Sequence, residues 1–287
     1  MIWLILALLA STSIMIGFKL YPRFNINSLQ SISVNYLVAF FAGLITLSTK
    51  NQSPDIHSAW LPLSLISGIF LALTFFVFSK SAAKVGIALT SVSSKMSVII
   101  PVILGFFLFK ETIQVFKVLG IIVSLPAFYF IFKNKGFNKL KSTLILLPLL
   151  LFIGNGTNDS LLKSAQFYFL RNNDDYINYL TIAFAVSFLI CTILVFYNRI
   201  INKTSIKFKN IIAGIVLGIL NWYSTLFFLN GLSTTDVTVF IPIFNAGIVS
   251  LGAFTGVIFF KENLTKWNFF GLFLAIIAII LIAVSNG

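Results

Sequence analysis

Long apolar runs separated by short polar connections occupy the chain from one end to the other. A bilayer core about 30 Å thick needs about 20 apolar residues per helix, with roughly 17–25 tolerated. Ten runs of that size occur, at residues 2–18, 31–48, 60–79, 87–109, 116–132, 143–167, 176–197, 211–229, 237–260 and 267–284. The connections, such as 50–58, 133–142 and 198–210, are short and polar, which leaves no stretch for a soluble domain. The runs are continuous and lack the weak ten-residue alternation of membrane barrels, so they predict helices. The first run lacks a basic leading segment and is read as a span, not as a signal peptide.

Composition narrows the class further. Of 287 residues, 59% are hydrophobic and 9% charged, where soluble domains run nearer 45–50% and 25%. A soluble fold of this size cannot bury so much hydrocarbon, and the mean hydropathy of +1.02 agrees. Disorder, coiled coil, disulfide scaffold and ordinary cytosolic enzyme are excluded. Twenty Lys and Arg against seven Asp and Glu give a net charge of +13. These bases cluster between apolar runs, which predicts anionic lipid head groups and not nucleic acid as the partner. One cysteine, Cys191, and one histidine, His57, leave no internal disulfide and no metal-ligand cluster, so no metal or cofactor is expected.

The chain repeats itself. Phe107-Leu108-Phe109-Lys110-Glu111 ends the fourth span and Ile258-Phe259-Phe260-Lys261-Glu262 ends the ninth. Gly120 follows the first at the offset at which Gly271 follows the second, Gly105 pairs with Gly256, and Asn35-Tyr36-Leu37 echoes Asn178-Tyr179-Leu180. Residues 1–134 and 143–287 therefore read as two five-helix units joined by a short basic linker at 135–142. Because five is odd, the second unit enters the bilayer from the opposite face. Such inverted repeats are the architecture of secondary transporters, with the site at mid-bilayer between the repeats.

These features resemble the drug/metabolite transporter superfamily, and within it the EamA-type ten-helix transporters. The resemblance spans essentially the whole chain, with lysine at 110 and 261 where many relatives carry glycine before the glutamate. It implies an all-α integral membrane fold and a carrier of a small metabolite in the bacterial inner membrane. The basic connections, with Lys19, Arg23, Lys203, Lys207 and Lys209 among them, lie on the side opposite the termini. The positive-inside rule then places both termini outside, whereas the resemblance implies cytoplasmic termini.

Polar side chains at mid-depth are the candidate site, since each is costly in lipid. Lys95 lies eight residues into the fourth span, about 12 Å deep, with Ser91 and Ser94 on the same face. Its head either faces a cavity or snorkels to the interface. Asn245 in the ninth span is at similar depth, near Pro242, and Pro101 stands in the fourth; both prolines can kink their helices. Asn221, Trp222 and Tyr223 in the eighth span offer an amide beside aromatic rings, a platform for an apolar or cationic group. Asn155, Asn158 and Asp159 share a face of the sixth span. Asp159 is the candidate for proton coupling, although Lys163 at i+4 can pair with it instead. Asn35 and Asn178 are read as helix-end hydrogen bonders, and Gly252 with Gly256 as a close-packing pair.

The function expected is a secondary carrier for an anionic or zwitterionic, amino-acid-like solute, working as a monomer or homodimer. A lipid or lipid-linked-sugar flippase is the alternative. An intramembrane enzyme is disfavoured, because His57 sits in a connection and the spans offer one carboxylate where aspartyl chemistry needs two.

Overall fold

The computed structural model describes residues 2–108, 114–132, 146–170, 173–234 and 237–284, and its regular elements there are all helices. They are α1 (Ile2–Leu20), α2 (Ser28–Thr49), α3 (Leu61–Lys84), α4 (Ile87–Met96), α5 (Ile99–Leu108), α6 (Val115–Phe132), α7 (Leu146–Tyr168), α8 (Asn173–Ile201), α9 (Phe208–Thr234), α10 (Val237–Ile258) and α11 (Lys266–Val284). A helix lies in each of the ten stretches expected to span, the fourth in two pieces. Among the described residues, six stretches are long and apolar enough to cross a bilayer: Ile2–Leu20, Ser28–Thr49, Leu61–Lys84, Ile87–Gly105, Asp174–Ile201 and Phe208–Gly231. The helix α7, which carries Asn155, Asn158, Asp159 and Lys163, is not among them.

Helix ends follow local chemistry. Asn27 caps α2 by accepting hydrogen bonds from the amides of Leu29 and Gln30, which supplies partners for two of the four amides a helix start leaves free. Before α11, the Thr265 and Asn268 side chains each accept from the other's backbone amide.

Packing pairs α2 with α8 and α9, α3 with α7 and α8, α1 with α9, α4 with α10, and α6 with α11. Small residues set these distances. A Cβ at Gly68 would stand 2.6 Å from the Ala183 carbonyl oxygen, and one at Gly214 2.6 Å from that of Ser31, so α3 meets α8, and α9 meets α2, almost backbone to backbone. Polar bonds reinforce the contacts: Ser64 donates to the Tyr179 carbonyl at 2.7 Å and Ser187 to that of Gly68 at 2.7 Å. Lipid offers no hydrophobic drive between helices, so close packing and such bonds, each worth about 0.6–2 kcal/mol, hold the bundle. The outside is the reverse of a soluble surface, with Leu9, Ile45, Leu125, Ile193 and Phe273 exposed.

Contacts between connections define the two ends of the bundle. At one end, Asn27 meets Asn210, Ser79 meets Ser28, and Glu262 meets Lys19 and Ile87. At the other, Lys50 pairs with Asp174, and Asn178 binds Asp55 and Ser53. The first end is called the basic end below, since it carries Lys19, Lys203, Lys207 and Lys209. On the opposite end, the Ser58 hydroxyl and the His57 amide donate to Asp55 and hold its carboxyl below the usual carboxylate range.

Asn178 thus secures a connection near a helix start, as expected. Asn35 does not cap a helix. It is fully buried, eight residues into α2, with its side chain within 3.3 Å of the Leu217 carbonyl and the Asn221 amide of α9. Gly252 and Gly256 do give close packing, lying against Ser91 and Ala88 of α4. Lys110, Glu111 and the 135–142 linker lie outside the described residues.

Candidate functional site

The fourth span breaks at mid-depth, and its sequence says why. Pro101 has no amide hydrogen, and its ring crowds the carbonyl four residues earlier, that of Ser97. The helix accordingly stops at Met96 and resumes at Ile99. Ile100 donates to the Ser97 carbonyl at 3.0 Å in a tighter three-residue turn. The Ser97 hydroxyl donates to the Ser94 carbonyl at 2.6 Å and lies 3.4 Å from the Asp159 carboxylate. Irregular backbone at this depth is tolerated where protein or a water-filled cavity surrounds it.

Two cavities flank the break. The first, of about 220 Å³, lies between mid-depth and the basic end and draws on α1, α3, α4, α7, α9 and α10. Lys95, Ser94, Asn155, Asn221, Thr74 and Ser224 supply its polar lining. Asn155 donates to the Ser94 hydroxyl at 2.8 Å, and Ser11 and Ser224 share a hydrogen bond of 2.6 Å. The Lys95 Nζ stands 4.9 Å from the centre of the Phe244 ring. It makes no hydrogen bond or ion pair among the described residues. Of the two orientations open to Lys95, the cavity-facing one is found.

The second cavity, of about 260 Å³, lies between mid-depth and the opposite end, lined by Asp159, Lys163, Gln166, Asn245, Pro101 and Ile282 among others. Asp159 presents accessible surface there. No direct ion pair joins it to Lys95 among the described residues, in keeping with their different depths.

Four expectations need correction. Asn245 belongs to the second cavity and does not meet Lys95. Ser91 is fully buried, donates to the Ala88 carbonyl at 2.9 Å and packs on Gly252, because α10 comes too close on that face to leave a cavity. Trp222 is 5% exposed and stands edge-on to Phe184 in the core, while Tyr223 is 49% exposed beside Phe227. Trp222 and Tyr223 lie about 100° and 200° round the helix from Asn221, and here those directions meet the core and the outer surface. Asn158 lines neither cavity, and its carbonyl oxygen is buried with no partner among the described residues.

Sequence reasoning missed Phe244, Thr74, Ser11 and Ser97. Ser97 follows Ser94 at i+3 and was accessible to the same rule of shared faces. Phe244 is one of 33 phenylalanines and carried no signal of its own. The Glu262 carboxylate accepts from the amides of Ile87 and Ala88 at 2.8 and 3.3 Å and pairs with Lys19 at 2.8 Å, tying the start of α4 to the end of α1.

A helical bundle with lipid-facing apolar surface and polar cavities on either side of a broken span is a multi-pass membrane protein of transporter type. Residues 1–133 match the EamA-like transporter family, which is part of the drug/metabolite transporter superfamily. It is 26% identical over 290 residues to an uncharacterized protein of Haemophilus influenzae (strain Rd), covering 96% of this chain and 95% of that one. A chain from a solved crystal structure aligns with 98% of this chain and 99% of its own at a TM-score of 0.57 and 12% identity. That likeness concerns the fold alone.

Proposed function

We propose that the protein is a secondary carrier that moves a small anionic or zwitterionic, amino-acid-like metabolite across the cell (inner) membrane by alternating access. The observation that carries this reading is Lys95, a cation about 12 Å inside a span without an acidic partner among the described residues, in a cavity with Ser94, Asn155 and Asn221. An uncompensated lysine at that depth costs about 2.5–3.5 kcal/mol or more; a carboxylate or phosphate on the solute offsets it. In this reading Lys95 holds the anion, the two amides orient it, and Phe75 and Ile248 of the cavity wall pack its apolar part. Asp159, with Asn245 beside it in the second cavity, takes and releases the coupling proton.

The architecture in this proposal is ten spans in two inverted repeats, 1–134 and 143–287. Supporting it, α2 and α8, the counterpart second spans, run antiparallel, since the end of α2 meets the start of α8 through Lys50 and Asp174. Likewise the end of α10 meets the start of α4 through Glu262 and Ile87. Exchanging the halves also turns the α3–α7 pairing into α9–α1.

The second reading is a lipid or lipid-linked-sugar flippase, favoured by an apolar groove on the outside of α1 and α9. The groove and the Lys95 cavity are lined by different faces of α1: Ser13, Gly17 and Leu20 against Ser11, Ile14 and Met15.

The test begins with a thermal-shift screen of metabolites on purified protein, because binding to the folded state raises apparent stability. Hits are then followed as uptake into reconstituted vesicles. Lys95→Ala abolishes that uptake with expression intact if the proposal holds, and unchanged uptake refutes it.

A further inference from the structure

The groove on the outside of α1 and α9 does not end in lipid. It has a volume of about 300 Å³ and an almost wholly apolar wall formed by Gly17, Leu20 and Phe24 on one side and Ile212, Val216 and Leu220 on the other. Phe24, Ile212 and Val216 are about half exposed, so the groove is open sideways. At the basic end it meets, through the shared residue Ile26, a polar pocket lined by Asn25, Asn27, Lys203, Ser205, Lys207 and Asn210. Lys209 stands at the junction and donates to the Phe24 carbonyl at 2.8 Å. The floor of the pocket is fixed: buried Asn210 accepts from the Asn27 amide at 3.1 Å and donates to Gln30 at 2.5 Å, and Gln30 donates to the Ser205 carbonyl. The three lysines are exposed and have no acidic partner among the described residues.

We propose that this composite surface is a binding site for one anionic phospholipid, with an acyl chain in the α1–α9 groove and its phosphate among Lys203, Lys207 and Lys209. Dimensions support it. From Lys209 to Leu220 the helix rises about 16 Å at roughly 1.5 Å per residue, which matches one leaflet of a core about 30 Å thick. Charge supports it as well, since basic residues at the membrane surface attract anionic lipid, each lysine adding roughly fivefold to binding. Gly17 is the third support. A side chain added there would meet nothing within 4 Å, while one at Gly43, Gly68, Gly214 or Gly218 would stand 2.3–2.6 Å from a neighbouring helix. The space in front of Gly17 is therefore available to a chain that the protein does not supply.

Native mass spectrometry of the detergent-purified full chain tests the site, with phosphatidylglycerol and phosphatidylcholine of matched chains as probes and inorganic phosphate as competitor. One phosphatidylglycerol is retained in preference to phosphatidylcholine, and millimolar phosphate does not displace it. K203Q/K207Q/K209Q lowers retention by about tenfold or more. G17F fills the groove and lowers it by a similar factor without touching a charge, and unchanged elution and melting temperature establish that both variants fold. Equal retention of the two lipids, displacement by phosphate, or indifference to both variants overturns the proposal. These outcomes are independent of whether Lys95→Ala affects uptake.

Discussion

The two cavities share α7, α10 and the broken fourth span, and they differ in charge. The cavity towards the basic end holds one cation, Lys95, among hydroxyls and amides; the other holds Asp159 with Lys163, Gln166 and Asn245 against an apolar wall from α11. The fourth and sixth spans serve both. Ser94 and Asn155 face one cavity, Val98 and Lys163 the other, and Ser97 and Asp159 meet at the break between them. One helical turn, about 5.4 Å, thus separates a place suited to hold an anion from a place suited to hold a proton. The proline that breaks the helix leaves the two groups in different cavities.

The largest expected effect breaks the anion side. Removing one partner of a desolvated, hydrogen-bonded charge pair costs about 2–5 kcal/mol, so Lys95→Ala lowers solute affinity by about thirtyfold or more. The same variant raises the melting temperature of the solute-free protein, because an unpaired buried charge is removed. Titration of the thermal shift with solute reads both effects. Asp159→Asn changes something else: solute exchange at equal pH continues within a few-fold of wild type, and uptake no longer responds to a pH gradient. If Asp159→Asn also abolishes exchange, the division of labour between the cavities is wrong.

Smaller effects sharpen the picture at the ends. Glu262→Ala leaves the first amides of α4 uncapped and Lys19 unpaired, which costs about 0.5–2 kcal/mol and lowers the melting temperature by a few degrees. The smallest effect concerns Asp55. Its carboxyl is held down by Ser58 and His57, so the stability it adds is present above the ordinary carboxylate range and is lost as pH falls through its depressed value. Proteolysis within 50–58 then increases only in that acid range.

Much of this was legible in the sequence. Helix type and the shared cavity of Lys95, Asn155 and Asn221 follow from run length and from the 3.6-residue period, and the kink in the fourth span follows from the chemistry of Pro101. Which face of a helix meets a neighbour does not follow. Ser91 shares a face with Lys95, yet Gly252 of a distant helix closes on it. Trp222 was the more conspicuous aromatic, yet Phe244 reached the lysine because α10, not the next residue along α9, lies across the cavity. Neighbouring helices decided these outcomes, and local pattern carries no record of them.

The central claim is that hydrated cavities enter the bundle from opposite ends and meet at the broken fourth span. Side-specific thiol labelling tests it most directly, because replacing the single Cys191 by alanine gives a background without other thiols. In oriented vesicles, Ser94→Cys is predicted to react with a membrane-impermeant reagent added at the basic end, and Asn245→Cys with the same reagent added at the opposite end. Labelling of both from one end, or of neither from any, contradicts the account.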